Sequence, residues 1–157
     1  MTVDSGAPAA LTTLLAFHQS IRSALTIFDE TSSDSAKAKV LYEFFRGPMR
    51  WHDEDEGASL LPRLMKADRA RVIGFVQACE AEHDSMESAV DDVIHNPRLL
   101  RLTAWELRRL IEPHLHREET EIFPLALELL SPQDFDDIAG EMHGRRVARW
   151  APRAEKT

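Results

Sequence analysis

Four histidines interrupt apolar stretches of this 157-residue chain at positions where an aliphatic side chain is expected. They are His18, His52, His83 and His114. His18, for example, lies seven residues from both Leu11 and Leu25, a spacing that places all three side chains on the same face of a helix. The imidazole ring is the commonest protein ligand for metal ions. The spacing therefore predicts imidazoles that face the interior of a helical protein.

Three of these histidines are followed four residues later by a glutamate, in the pairs His52 and Glu56, His83 and Glu87, and His114 and Glu118. Four helical residues correspond to about 400° of rotation and ~6 Å of rise, so both side chains of a pair can reach one ion. A buried carboxylate without a cation costs several kcal/mol, and neutral imidazoles do not supply one. The pattern predicts a metal centre with seven ligands: His18, His52, Glu56, His83, Glu87, His114 and Glu118.

The number and type of these ligands favour iron. They exceed the needs of one tetrahedral zinc, and the chain has no HExxH motif. Magnesium and calcium prefer oxygen ligands, whereas mixed nitrogen and oxygen ligands suit two iron ions, Fe2+ or Fe3+. If Glu56 and Glu118 bridge two six-coordinate irons that share an oxide or hydroxide, one coordination position stays vacant. A small ligand such as O2, peroxide or NO could bind there, and no separate catalytic residue is predicted.

Other reactive side chains have less support. Glu80 and His83 form one Glu-x-x-His motif, but a ferritin-like di-iron bundle needs two, and Ile111 stands at the matching position before His114. Cys79 is interpreted as a small buried hydrophobe. Three histidines are predicted to lie outside the centre: His95, His116 and His143. The nearby acids are expected to form a solvated face, with one or two orienting ligand histidines: Asp53, Glu54, Asp55, Glu119 and Glu121.

Helical periodicity dominates the chain, and signals for β-strands are weak. A first helix is predicted through residues 11–28, and a second over 36–65 with a kink at Gly47-Pro48 and its regular part closed by Pro62. A third begins after Asp68 and ends before Asn96, a fourth spans 103–123 with a bend at Pro113 and an end at Pro124, and a fifth follows Ser131. These elements predict an all-α protein of one domain, 1–157. We expect an antiparallel four-helix bundle over about 8–125 and a short C-terminal helix over about 132–147.

The composition limits the classes of partner. There are 19 Lys and Arg against 27 Asp and Glu, a net charge of -8 that repels phosphate backbones and anionic lipids. We therefore expect no nucleic-acid and no membrane partner. No apolar stretch is long enough for a membrane helix, residues 1–17 lack the basic residues of a secretory signal, and Cys79 is the only cysteine. These features predict a cytoplasmic protein.

Taken in order, the motifs resemble those of the hemerythrin-like family, the HHE cation-binding domains. The matching segments are His18 in H-Q-S-I-R, His52-Asp-Glu-Asp-Glu56, Glu82-His83, and His114-Leu-His-Arg-Glu118-Glu-Thr-Glu-Ile-Phe-Pro124, within about residues 10–125. The resemblance implies a four-helix bundle around an oxo-bridged di-iron centre. It also implies that Glu56 and Glu118 are the bridging carboxylates.

The chain departs from the respiratory hemerythrins at one ligand position. Those proteins carry a second histidine on the third helix, where this sequence has Glu87. An added carboxylate favours the ferric state, so we expect chemistry with peroxide, in a catalase-like reaction, or with NO rather than reversible oxygen carriage. Three alternatives stay open: an iron- or redox-sensing or iron-storage module without turnover, Glu87 as an outer partner of the ligands, and a metal-free structural bundle.

Overall fold

The computed structural model describes residues 7–150, and within that range it contains helices and no strand. The first bundle helix is α1 (Ala9–Glu30). The second is built from α2 (Asp34–Phe44), α3 (Arg50–Asp55) and α4 (Leu61–Ala67), joined by π-helical turns at Phe45–Met49 and Glu56–Leu60. The third is α5 (Arg69–His95). The fourth consists of α6 (Leu100–Arg117), a π-helical turn at Glu118–Ile122, and α7 (Phe123–Leu129). After these comes α8 (Pro132–Trp150), which packs on α1 and on the second bundle helix.

Short connections hold neighbouring helices antiparallel. Asp68 alone separates α4 from α5, and its side chain accepts a hydrogen bond from the Arg71 backbone at 3.2 Å. Ser131 and Asp134 cap α8 reciprocally, because each side chain accepts a hydrogen bond from the other residue's backbone N–H. These contacts confirm the predicted caps, and the helical bundle confirms the predicted fold class.

The prolines behave differently from the prediction. Pro124 was expected to end the fourth helix and Pro62 to close the regular part of the second, but each occupies the first turn of a further α-helical segment, α7 and α4 respectively. A proline lacks an N–H and clashes with the carbonyl four residues earlier, and in both cases that carbonyl lies within a π-helical turn. We infer that the wider turn accommodates the proline, so the helix continues to Ala67 in one case and to Leu129 in the other. Pro113 was not predicted to end its helix, and α6 does continue through it to Arg117.

The bundle interior is divided into two apolar clusters. The α8 cluster includes Leu14, Leu60, Leu64, Val76, Ile122, Phe135, Ile138 and Met142. The distal cluster includes Ile21, Met49, Met86, Val90, Leu107, Ile111 and Leu115. Along each of the four bundle helices, the chain passes from one cluster to the other through a short polar stretch. Three of these stretches contain His18, His52 and His83, whereas on the fourth helix the stretch contains Glu118 and begins just after His114 and Leu115.

Among the described residues, none of the helices is both long and apolar enough to cross a membrane.

Replacement of Ile138 tests whether α8 is part of the packed core. Ile138 is fully buried, so Ile138→Ala is expected to lower the free energy of unfolding by about 2–5 kcal/mol in urea denaturation. Val147 lies on the same helix with 55% of its surface exposed, so Val147→Ala should change it by less than about 0.5 kcal/mol. Equal effects of the two substitutions would contradict this packing.

Candidate metal centre

The four predicted histidines meet in the polar layer between the two clusters. His18, His52 and His114 are fully buried, and the side chain of His83 is 13% exposed. The ring centroids of His18 and His52 lie 5.0 Å apart, and those of His83 and His114 lie 4.6 Å apart. Four separate helical segments therefore direct imidazoles to one place.

Two of the three predicted glutamates lie in the same layer, and both are fully or almost fully buried. The Oε2 atom of Glu118 lies 3.0 Å from His18 Nε2, and its Oε1 atom lies 2.9 Å from His114 Nε2. The Oε2 atom of Glu56 lies 3.5 Å from His52 Nε2. Five residues each offer one ligand atom within 4.8 Å of all the others: His52, Glu56, His83, His114 and Glu118. His18 adjoins this group through its contact with Glu118.

Glu87 is placed differently from the other two glutamates. It is exposed and lies outside the five-residue group, so its role as a ligand stays a prediction. Glu56 and Glu118 each begin a π-helical turn, whereas α5 runs uninterrupted through Glu87. Both turns precede a proline six residues after the glutamate, and the third helix has Val93 at that position. The proline is thus a sequence signal that distinguishes the two buried glutamates from the exposed Glu87.

Several buried polar atoms of this layer lack hydrogen-bond partners. Neither ring nitrogen of His52 has one, nor do the Nε2 atom of His18 and the four carboxylate oxygens of Glu56 and Glu118. Unpaired buried polar atoms are rare in proteins and destabilise the folded state. A cation between them would satisfy nitrogen and oxygen atoms together. The donor set therefore fits a metal ion, and it fits mixed imidazole and carboxylate coordination.

Two glutamates outside this group orient the histidines. The Nδ1 atom of His18 lies 2.8 Å from Glu119 Oε1, which also accepts a hydrogen bond from Arg22. The Nδ1 atom of His114 lies 2.9 Å from Glu82 Oε2. A proton on Nδ1 would leave the lone pair of Nε2 directed into the centre, as metal-bound histidines require. Arg117 donates a hydrogen bond to the other carboxylate oxygen of Glu82. His18 and His114 are therefore each linked through a glutamate to an arginine.

Part of this outer set was predicted and part was missed. An orienting role was expected for one or two of the nearby acids, and Glu119 has the geometry for it. Glu82 was not predicted to orient a histidine, because its contact with His114 depends on how α5 packs against α6. Asp55 belongs to the same five acids, most of which were expected to be solvated, but it is 1% exposed and is paired with Arg145. Asp53 Oδ1 lies 3.3 Å from His83 Nε2.

Two of the three histidines predicted to lie outside the centre have described side chains. His116 and His143 are exposed. The side chain of His95 lies outside the described residues. Cys79 is buried and lies within 4.8 Å of ligand atoms of Glu82 and His114.

Burial and charge give the two buried carboxylates opposite protonation behaviour. Burial raises the pKa of Glu56 well above its ordinary value, and the charge of Glu118 raises it further. Burial opposes ionisation of Glu118 too, but three surrounding imidazoles hold its pKa well below the ordinary value. Burial also disfavours protonation of His114, yet contacts with Cys79 and Glu118 raise its pKa to about 11. Protons thus occupy positions where a cation would bind, and metal binding should displace them.

A cavity of about 510 Å³ reaches the centre from one side, where its lining includes His83 and Asp53. Four side chains of the distal cluster form part of its wall, namely Phe45, Met49, Met86 and Val90. Its charged lining residues are Arg46, Arg50, Asp53, Glu54, Asp84, Glu87 and Asp91. The cavity is large enough for small molecules to approach the partly exposed His83.

Comparison with known proteins agrees with this geometry. The family model of the hemerythrin HHE cation-binding domain matches residues 9–126, which is more than half of the chain. The protein therefore belongs to the hemerythrin HHE cation-binding domain family. It matches no curated protein and no solved structure at a significant level. The match covers all six buried or partly buried ligand candidates and ends before α8.

Glu56→Gln tests the electrostatics of the metal-free protein. Because the pKa of Glu56 is raised on folding, the native state holds more protons than the unfolded state above about pH 4.5, so stability falls as pH rises. Glutamine cannot ionise, so the substitution removes this loss of stability at higher pH. Metal-free Glu56→Gln should therefore gain stability relative to wild type between about pH 4.5 and 7 in chemical denaturation, while its metal affinity falls.

The exposed Glu80 on α5 provides the control, and Glu80→Gln should show no such trend. A Glu56→Gln variant whose stability follows that of wild type across this pH range would show that Glu56 is not buried near a like charge.

Proposed function

We propose that this protein is a non-haem di-iron protein that binds or turns over small O2-derived ligands or NO. The observation that carries the proposal is the set of unpaired, buried nitrogen and oxygen atoms contributed by three of the four bundle helices, with His83 of the third helix beside them. Membership of a cation-binding family supports a metal at this place. The mixed donor set, with two carboxylates able to bridge, supports two iron ions with a bridging oxide or hydroxide. The compartment we propose is the cytoplasm.

The residues of this chain supply the binding and the orientation. His18, His114 and Glu118 would hold the metal from buried positions, with Glu119 and Glu82 fixing the imidazole rings. Bound iron would supply redox chemistry and a coordination position for a small ligand. The cavity beside His83 is the route that we propose for this ligand. Among the possible activities, catalase-like removal of peroxide is the one that we put first.

Metal analysis, optical spectroscopy and a peroxide assay together test the proposal. We expect about two irons per chain, near-ultraviolet charge-transfer absorption, and a higher melting temperature with iron than after chelation. Steady peroxide consumption that is lost in His114→Ala would support turnover. Consumption that stops at one equivalent per site would favour a sensing or storage module. Zinc at one equivalent, or a melting temperature unaffected by chelation, would contradict the di-iron proposal.

The charge of the cavity predicts how ligands of different charge reach the centre. Five of its lining residues are acidic and two are basic, so its field should slow anions and attract cations. Asp84→Lys reverses one exposed charge at this cavity. In rapid-mixing experiments at low salt, it should speed azide binding several-fold, slow Fe2+ loading, and leave the rate with neutral hydrogen peroxide unchanged.

Asp136→Lys is the matched control, since it makes the same change of net charge at an exposed position of α8. The differences between the two variants should vanish at high salt. Identical rates for both variants at low salt would contradict ligand access through this cavity but would leave the di-iron proposal standing.

A further inference from the structure

The helix α8 lies beyond the segment that matches the family, yet it is firmly attached to the bundle. Phe135, Ile138 and Met142 bury its apolar side in the α8 cluster. The contacts on the other side of α8 are polar and are made with the second bundle helix. They concentrate on the segment that contains the π-helical turn at Glu56–Leu60.

Arg145 is the centre of these polar contacts. Its Nε atom donates a hydrogen bond to Asp55 Oδ1 at 2.7 Å, and its Nη2 atom donates to Ser59 Oγ at 2.6 Å. Both partners are buried, Asp55 with 1% and Ser59 with 0% of its surface exposed. Ser59 in turn donates to Glu141 Oε2 at 2.6 Å, so a second residue of α8 reaches the same turn.

Further ion pairs extend this network on both sides. Arg63 holds Glu141 with two hydrogen bonds, at 2.7 and 3.1 Å. One turn after Arg145, Arg149 donates to Glu54 Oε2 at 2.6 Å. The polar side of α8 therefore binds the second bundle helix before, within and after the turn.

Glu56 stands between the two partners of Arg145, one residue after Asp55 and three residues before Ser59. Glu56 has few polar neighbours of its own, since its Oε2 atom lies 3.5 Å from His52 Nε2 and neither of its oxygens has a hydrogen-bond partner. The backbone of the turn on which it stands is therefore important for its direction. Glu118 differs, because three imidazoles lie within 3.4 Å of its oxygens.

We propose that Arg145 is a positioning residue of the metal centre, which bridges Asp55 and Ser59 and thereby fixes the turn that directs Glu56 toward the metal. This inference rests on the proposed function, because it concerns a metal ligand. It assigns to α8 the control of metal affinity at Glu56. A helix outside the matched family segment thus completes the centre without contributing a ligand.

The test measures metal affinity and the spectrum of the loaded protein in wild type, Arg145→Gln and Arg145→Lys, with Fe2+ and with Co2+ as probes. Arg145→Gln should weaken metal binding about 10- to 100-fold and alter the visible spectrum, as expected for loss of an outer partner of a ligand. Arg145→Lys should recover part of the affinity, because an ammonium can still pair with Asp55. Ser59→Ala, which keeps the ion pair, should give a smaller loss.

Arg71→Gln is the control, because Arg71 makes a comparable two-pronged pair between helices, with Glu128 at 2.7 and 2.9 Å, on the surface. It should leave affinity and spectrum unchanged. An Arg145→Gln protein with a lower melting temperature but wild-type affinity and spectrum would overturn the inference alone. A wild-type protein that binds neither probe would overturn both the inference and the proposed function.

Discussion

The structure depends on the burial of two carboxylates and four imidazoles in the middle of an apolar bundle. Glu56 and Glu118 lie between two clusters of aliphatic and aromatic side chains, and their oxygens have no hydrogen-bond partners. Burying such groups is unfavourable unless a cation pairs with them. Folding and metal binding should therefore be coupled, since the metal binds a site that exists only when all four bundle helices have assembled.

The two π-helical turns that begin at glutamates explain how the helices present these side chains. In each case a histidine is followed by a glutamate after four residues and by a proline six residues later, at Pro62 and at Pro124. The proline disfavours regular α-helix at the carbonyl four residues before it, and the wider turn forms there. The backbone carbonyl with which each proline would clash thus lies two residues after the glutamate. The turn at Glu56 is further held by α8, whereas Glu118 is held by the imidazoles around it.

Much of this arrangement was predictable because it depends on local spacing. Seven-residue intervals identify which imidazoles face the core, and four-residue intervals identify the glutamates that can join them. The predictions that Pro124 ends the fourth helix and that Pro62 closes the regular part of the second were wrong, because in each case a π-helical turn is followed by a further α-helical segment that contains the proline. The same turn is absent at Glu87, where an identical spacing gives an exposed side chain. The contacts of Glu82 with His114 and of Arg145 with Asp55 join residues far apart in sequence, so no local pattern reveals them.

A crystal structure of the iron-loaded protein, with anomalous diffraction measured at the iron edge, tests the central claim most directly. The account predicts two iron peaks less than about 4 Å apart in the layer between the two clusters, with Glu56 and Glu118 at both peaks and imidazoles from all four bundle helices around them. A single peak elsewhere on the protein, or no iron in this layer despite full loading, would contradict it.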